Sequence, residues 1–355
     1  MLVYTINLIF TTVLNYLSRI IKHKKISSAL IGLALLFASS VAGLRYGVGT
    51  DFFAYEQWFR HYLAYPIRFD NYQDLGFSVM IKGLQLFTDS PQILFFVSAL
   101  ITNILVMMFI KKNTDLYDLG FFLFITLYFY YSSLNIMRQW IAISIFLFSL
   151  KYAFDKKFIK YILLVLIAST FHASALLMLP IYFTFRFKAK FTNIFVLFII
   201  SFLIAFNFNT IVIKLANFFP FLNAERYLSY FDSSFATSGG GGWAYSIILI
   251  ATFILMLFCK NKYELNIKYG DKHFILLIFA TVFSFFAPSS MIFSRLQLFL
   301  MPIAIICIPN LVKIQKPKER VLITVIIILL GVLYMYRTLL INGGEPLPYE
   351  SVLFK

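Results

Sequence analysis

Four cationic or titratable side chains stand at the ends of apolar stretches of the sequence: Arg45, Arg138, His172 and Arg295. Arg138 falls one turn inside a predicted helix that begins near Leu134. A charged side chain in a membrane-embedded segment is costly, so it tends to face the interior of a helical bundle or a water-filled cavity. The alternative is that each arginine extends to lipid head groups at the interface.

Arginine binds phosphate through several coplanar donors and stays charged at any relevant pH. Three arginines at one membrane face therefore predict a site for a diphosphate attached to a lipid. We expect Arg138 and Arg295 to bind the diphosphates, with Arg45 supporting one of them. Asp51 and Glu225 are the nearby acids suited to act as general base, although each is also a plausible solvated loop residue.

His172 suits two roles, because imidazole binds phosphate as a cation and accepts a proton when neutral. A structural histidine at a helix end is the alternative. We take Asp51, His172 and Arg138 as the predicted catalytic residues. The predicted substrate-binding set is Arg45, Arg138, Arg295, Arg226, Glu225, Tyr55 and Gln139. We predict no metal site and no cofactor.

Aromatic side chains near these positions are candidates to stack on sugar rings. They are Tyr46, Tyr55, Trp58, Tyr227, Tyr230 and Trp243. Aromatic residues are also enriched at membrane interfaces in general, which is the alternative explanation for them.

The composition predicts an all-α polytopic membrane protein, since 61% of the residues are hydrophobic and only 13% are charged. Apolar runs of about 17 to 20 residues are long enough to cross about 30 Å of hydrocarbon. We predict one domain over residues 1–355 with about twelve crossings and the N-terminus outside. The predicted spans are Leu2–Leu17, Ile26–Leu44, Gln92–Ile110, Leu119–Tyr131, Leu134–Leu150, Phe158–Phe171, His172–Phe185, Phe191–Phe206, Trp243–Cys259, His273–Ala287, Leu296–Leu311 and Val321–Leu340.

The distribution of charge predicts the orientation. Short loops on one predicted face carry 21 of the 31 Lys and Arg and six acids, which gives that face +15 of the formal +16. Cytoplasmic loops retain Lys and Arg during insertion. The basic charge therefore indicates topology and not a nucleic-acid partner. No loop of the basic face exceeds about 14 residues, fewer than the about 30 of one βαβ unit, which excludes a cytosolic nucleotide-binding domain.

One short hairpin and two long outer loops add to the predicted topology. Phe158–Phe185 has basic flanks and holds two apolar stretches of about 21 Å each at 1.5 Å per residue, which favours a re-entrant hairpin with His172 in a cavity. A pair of tilted helices is the alternative. The outer loops at about residues 45–91 and 207–242 are long enough to fold over a substrate. The second ends in Gly239–Gly242, a run suited to a hinge.

The same segments resemble the EpsG family of bacterial polysaccharide polymerases, which belongs with the Wzy-type O-antigen and capsule polymerases. The similar stretches are LRYGVGTDFFAY (Leu44–Tyr55), LNIMRQWIAISIFLFSLKY (Leu134–Tyr152), IASTFHASALLMLPIY (Ile167–Tyr182), SRLQLFLMPIAIICIP (Ser294–Pro309) and the closing LPYES (Leu347–Ser351). The chain departs from the family pattern at Trp140, where a small residue often follows Arg-Gln.

The resemblance implies a membrane glycosyltransferase resembling the GT-C class, with a GT-C-like helical bundle. Such an enzyme acts at the outer face of the bacterial cytoplasmic membrane on undecaprenyl-diphosphate-linked oligosaccharide and moves the growing chain onto a new lipid-linked unit. Membrane lipids, and a flippase and a chain-length regulator of the same pathway, are candidate partners. Two alternatives remain open at this stage: an O-antigen ligase, and a flippase or transporter of the same lipid-linked sugar.

Overall fold

The computed structural model describes residues 1–64, 75–186, 199–200, 242–286 and 297–354. The described residues form helices and no β-strand, with one isolated antiparallel bridge between Arg45 and Ser351. The α-helices are α1 Leu2–Ile20, α2 Lys24–Gly43, α3 Phe52–Ala64, α4 Leu75–Gln85, α5 Gln92–Asn113, α6 Tyr117–Thr126, α7 Phe129–Asn135, α8 Met137–Phe154, α9 Phe158–Phe171, α10 Ile181–Thr184, α11 Gly242–Phe258, α12 Lys260–Asn266, α13 Gly270–Phe286, α14 Ala304–Lys313 and α15 Pro317–Ile341. The predicted all-α class is confirmed.

Within the described ranges, three helices are long and apolar enough to cross a membrane, namely α2, α5 and α15. The pair α11–α12 adds a fourth if its two helices, bent by 84°, form one span. The predicted twelve crossings are therefore not confirmed. One predicted span, Leu119–Tyr131, is interrupted because Tyr128 adopts a left-handed conformation (φ 70°) between α6 and α7.

The chain divides into two compact units, the first made of Met1–Tyr182 with Val312–Lys355 and the second of Phe183–Leu311. In the described part of the second unit, α11 packs against α13. The rings of Phe253 and Phe274 stack with centroids 5.7 Å apart. The Ser246 hydroxyl donates to the Ser284 carbonyl over 3.1 Å.

Helix α8 forms the centre of the first unit, where it is buried along almost its whole length and packs against α5 and α9. Helix α1 packs against α2 and α6. The bulky Trp140 is fully buried in α8, where its indole N–H donates to the Ser132 hydroxyl over 3.0 Å. Trp140 therefore fills the core of this unit.

Helix α9 and the segment after it form a short hairpin. The chain breaks at His172, continues as a 3₁₀ helix over Ala173–Met178, and returns through α10. The Tyr182 hydroxyl donates to the Lys156 carbonyl over 3.0 Å, which places the end of the hairpin beside its beginning. With 14 residues, α9 rises about 21 Å, less than the about 30 Å of a bilayer core. The described residues therefore form a short hairpin here, and its re-entrant position in the membrane stays a prediction.

The two ends of α1 mark two chemically different ends of the first unit. At the C-terminal end of α1, Arg19 pairs with Asp118 over 2.8 Å. Asp115, in the loop that precedes α6 and Asp118, pairs with Lys313 over 2.5 Å. Arg19, Asp115, Asp118 and Lys313 are all among the charged residues predicted for the basic face. The structure therefore places these four residues at the same end of the first unit.

The other end is closed by main-chain pairing between a loop at residues 44–51, which we call the 44–51 loop, and residues 343–352, which we call the C-terminal segment. The Tyr46 N–H donates to the Glu350 carbonyl over 3.0 Å, and the Val352 N–H to the Leu44 carbonyl over 2.9 Å. Tyr4 of α1 also reaches this end, where its hydroxyl donates to the Pro346 carbonyl over 2.9 Å. Both termini therefore contribute to the end that carries Arg45.

Candidate active site

Arg138 lies in the first turn of α8, just after the chain breaks at Ile136 between α7 and α8. Its side chain is half-buried, and its guanidinium lies over the Trp58 ring, 4.3 Å from the centroid. The N-terminal turn of a helix carries partial positive charge. The cation and the helix dipole therefore favour an anion at the same place.

Tyr55 of α3 joins Arg138 to Asp51. The buried Tyr55 hydroxyl is hydrogen-bonded by both the side chain and the main chain of Arg138. Burial raises the pKa of Tyr55, Arg138 opposes this change, and Asp51 adds to it. A tyrosine with a raised pKa stays protonated at neutral pH, so Tyr55 serves as a hydrogen-bonding group and not as a base.

Asp51 is placed directly before α3, where its carbonyl accepts from the Tyr55 N–H over 3.1 Å. Its side chain is half-buried, and its Oδ1 accepts a long hydrogen bond of 3.4 Å from the Thr50 hydroxyl. The structure thus brings Asp51, Tyr55 and Arg138 together at the end of the unit closed by the C-terminal segment.

Arg45 has a different environment from Arg138. It is 1% exposed, and its guanidinium donates to the carbonyls of Ala42 (2.6 Å), Val48 (3.2 Å) and Leu134 (2.7 Å). The guanidinium also lies 4.7 Å from the centroid of the Phe95 ring. Burial lowers the pKa of Arg45 to about 10, so the side chain remains a cation at neutral pH. Arg45 joins the end of α2 to the 44–51 loop and to the end of α7.

His172 lies at the apex of the hairpin, where α9 ends and the 3₁₀ helix begins. The side chain is half-buried, and its Nδ1 is 2.6 Å from the Ser174 hydroxyl oxygen. A ring nitrogen bonded to a hydroxyl has a restricted orientation, so the Ser174 contact helps to fix the His172 imidazole at the hairpin apex.

Helix α4 connects the hairpin apex with the surroundings of Arg138. Gly76 lies so close to Thr170 that a Cβ on Gly76 would overlap the Thr170 hydroxyl. The next residue, Phe77, contacts the rings of Tyr55 and Trp58 with centroid distances of 5.7 and 6.0 Å. Helix α4 therefore connects the end of α9, through Gly76 and Thr170, with Arg138, through the rings of Phe77 and Trp58.

The remaining predicted residues divide into two groups. Gln139 is described and is buried at 2% exposure beside Arg138. Arg295, Arg226 and Glu225 lie outside the described residues, as do Tyr227, Tyr230 and the side chain of Trp243. In the part of the chain that the structure describes, no group of three or more His, Cys, Asp or Glu is arranged to hold a metal ion.

Sequence reasoning missed two features of this end of the molecule. It did not predict that the Trp58 ring lies under Arg138, and stacking of Trp58 on a sugar stays a prediction. It gave no contact to Asn135, whose side-chain amide donates to the Gly344 carbonyl over 2.7 Å. The glycines at 47, 49, 343 and 344 were the available signal, because glycine pairs mark sharp turns and close approaches of the main chain.

The apolar helices indicate a helical membrane protein, and Arg138 at the start of α8 supplies a cationic group at one end of the first unit. The sequence matches the EpsG family over residues 28–351, nearly the whole chain, and the protein belongs to that family. EpsG is a Wzy-like polymerase family, which indicates a polysaccharide polymerase-type, glycosyltransferase-like function. No curated protein and no solved structure matches the chain.

Proposed function

We propose that this protein polymerises undecaprenyl-diphosphate-linked oligosaccharide repeat units into O-antigen, capsular polysaccharide or exopolysaccharide. The reaction takes place at the outer face of the bacterial cytoplasmic membrane, and the growing chain is transferred onto a newly arrived lipid-linked unit. One observation carries the proposal: in a member of the EpsG family, Arg138 is held by Trp58 and Tyr55 beside Asp51.

In the proposed reaction, a hydroxyl oxygen of the incoming unit attacks the anomeric carbon of the growing chain. A new glycosidic bond forms, and the bond between that carbon and the diphosphate oxygen breaks. The electron pair leaves with undecaprenyl diphosphate, and the hydroxyl proton goes to a protein base. No nucleotide-sugar is available outside the cell membrane, so a lipid diphosphate is the activated donor that fits this location.

Arg138 stabilises the negative charge that gathers on the diphosphate as the bond breaks. Its contacts with Trp58 and Tyr55 hold it in place before the reaction. A preorganised donor of this kind typically contributes about 10²–10³ in rate. Arg295 is proposed to bind the second phosphate, and Arg226, Glu225 and Gln139 to contact the glycan. Arg45 supports the diphosphate site by fixing the main chain around it.

Asp51 or His172 accepts the proton of the attacking hydroxyl. Asp51 lies beside the Arg138–Tyr55 pair. His172 fits if its Nδ1–H donates to the Ser174 hydroxyl, because Nε2 then presents a lone pair. The scheme uses no metal ion and no cofactor. A flippase that delivers the lipid-linked unit and a chain-length regulator are the partners that it implies.

The test is a glycan gel from a host that lacks this protein, complemented with wild type, Arg138→Ala or Arg138→Lys. We expect a single capped repeat unit without the protein and a full ladder with wild type. Arg138→Ala should yield no ladder. Arg138→Lys should restore little of it, since an ammonium lacks the planar, multidentate donors of a guanidinium.

Two results would redirect the proposal. Loss of all capped glycan without the protein, including the single unit, would indicate a ligase or a flippase. A normal ladder from Arg138→Ala would remove Arg138 from the mechanism and leave the polymerase assignment in place. The amount of each variant in the membrane is the control, measured on the same cells.

A further inference from the structure

Asn135 stands where three segments of the first unit meet. It ends α7, three residues before Arg138. Its Nδ2 donates to the Gly344 carbonyl of the C-terminal segment over 2.7 Å. The same carbonyl accepts from the Thr50 N–H over 3.4 Å, and Thr50 is the neighbour of Asp51. A chain of two hydrogen bonds therefore links the helix end that precedes Arg138 to the loop that carries Asp51.

Two glycines make room for the Asn135 side chain. Gly49 and Gly344 both adopt left-handed conformations, with φ of 96° and 82°. A Cβ on Gly49 would overlap Asn135 Oδ1, and a Cβ on Gly344 would overlap Asn135 Nδ2. The Gly49 N–H also donates to the Glu345 carbonyl over 2.9 Å, which joins the 44–51 loop directly to the C-terminal segment. The amide of Asn135 thus lies between the 44–51 loop and the C-terminal segment.

The C-terminal segment is held in place by side-chain hydrogen bonds with several parts of the first unit. Tyr128 donates to the Gly343 carbonyl over 2.7 Å, and Tyr4 of α1 donates to the Pro346 carbonyl over 2.9 Å. Within the segment, the Tyr349 hydroxyl donates to the Val41 carbonyl of α2 over 3.0 Å. A segment fixed at three points is a firm support for the loop that it pairs with.

We propose that Asn135 is a positioning residue: through Gly344, it makes the C-terminal segment a clamp that fixes the position of Asp51 relative to Arg138. This inference rests on the proposed function. Its physical basis is that reacting groups lose much of their effect when displaced by about 1 Å, at a cost of about 10²-fold in rate. The clamp should therefore affect turnover more than binding of the lipid-linked donor.

Four substitutions test the clamp. Asn135→Ala removes the side chain, and Asn135→Asp keeps its shape but loses the donor to Gly344. Gly344→Ala places a methyl group on the Asn135 amide. Gly343→Ala is the matched control, because a Cβ on Gly343 meets nothing within 4 Å and its φ is not left-handed.

The assay uses the purified full-length protein and lipid-linked repeat units extracted from the deletion host. Turnover is measured against the concentration of that extract, and a thermal unfolding midpoint is measured for each variant. We expect kcat of Asn135→Ala and Gly344→Ala to fall about tenfold to a hundredfold with KM within about twofold of wild type. Asn135→Asp should fall in the same direction, and Gly343→Ala should behave as wild type.

The double variant Asn135→Ala with Gly344→Ala tests directly whether the two residues act through the same contact. Once Asn135→Ala has removed the atoms that the new methyl group would overlap, adding Gly344→Ala should lower kcat much less than it does in the wild-type background. The strain of a left-handed alanine remains in both backgrounds and cancels from the comparison. The two substitutions should therefore be strongly non-additive.

The inference is overturned by unchanged kcat in Asn135→Ala and Asn135→Asp, by additive effects in the double variant, or by a loss of activity that only follows unfolding. Failure of the proposed function gives a different result, since the wild-type protein would then form no polymer from the same extract. Polymer formation by wild type and by all the variants would refute the clamp alone.

Discussion

At the scale of single residues, two arginines that look alike in the sequence have different chemistry. The donors of Arg45 bind main-chain carbonyls and its side chain is buried. Arg138 is half-buried and stacked on Trp58 at a helix N-terminus. Sequence reasoning assigned both to the diphosphate, because a sequence shows where a cation lies along the chain and not which acceptors its donors already have.

Arg45→Met should destabilise the protein, because it leaves the carbonyls of Ala42, Val48 and Leu134 without their donor. Each buried acceptor left unsatisfied costs about 1–3 kcal/mol. We expect a clear fall in the thermal unfolding midpoint of the purified protein. Arg138→Ala is the comparison and should lower the midpoint less, because the half-buried Arg138 side chain is not the donor to three buried carbonyls. Equal midpoints for the two variants would contradict the structural role of Arg45.

Trp58→Ala should lower polymerisation about fivefold, since a cation–π contact is worth about 1 kcal/mol. Trp58→Phe keeps an aromatic face under Arg138 and should retain most of the activity. Initial rates with extracted lipid-linked units would measure the effect. A Trp58→Phe variant as impaired as Trp58→Ala would indicate that the indole contacts the glycan directly and does not act through Arg138.

At the scale of elements, the hairpin and α4 determine where His172 lies. The short apolar stretches with basic flanks favour a re-entrant hairpin, and the structure shows that the chain returns from His172 until Tyr182 bonds to Lys156. The contact of Gly76 with Thr170 was not predictable, because it joins helices that lie far apart in the chain. Hydropathy reveals how long a segment is, whereas its packing partner depends on tertiary structure.

Gly76→Ala should reduce activity, because its methyl group would overlap Thr170 and push α4 away from the hairpin apex. Overpacking of this kind typically costs about 1–3 kcal/mol. Gly83→Ala on the same helix is the control, since its Cβ meets nothing within 4 Å. Adding Thr170→Ala to Gly76→Ala should recover part of the ladder on a glycan gel. A normal ladder from Gly76→Ala alone would contradict this role of α4.

For the whole molecule, the sequence indicates the class of protein well, and it indicates less about how the segments pack against one another. Apolar composition predicts the helical membrane fold, and the motif around Arg45 and Asp51 identifies the family that the match over residues 28–351 shows. Hydropathy does not reveal where a helix breaks at a single residue, as the helix does at Tyr128, and the predicted twelve crossings are not confirmed. The pairing of the 44–51 loop with the C-terminal segment escapes prediction because it joins opposite ends of the chain.

The predicted orientation can be tested by cysteine labelling in a variant whose native cysteines, Cys259 and Cys307, are replaced by serine. Arg60→Cys, at an exposed position of α3, should react with a membrane-impermeant maleimide on intact cells. Lys112→Cys, at the end of α5, should react only after the membrane is permeabilised, because basic loops remain in the cytoplasm. The opposite labelling pattern would place the Arg138 end on the cytoplasmic side.

The most direct test of the central claim is reconstitution of the purified protein in liposomes with lipid-linked repeat units from the deletion host. Chain length and free undecaprenyl diphosphate are measured together over time. We expect one lipid diphosphate to be released for each repeat unit added, and a rate about 10²–10³ lower for Arg138→Ala. Transfer of the lipid-linked units across the bilayer, with no new glycosidic bond and no release of lipid diphosphate, would contradict the central claim.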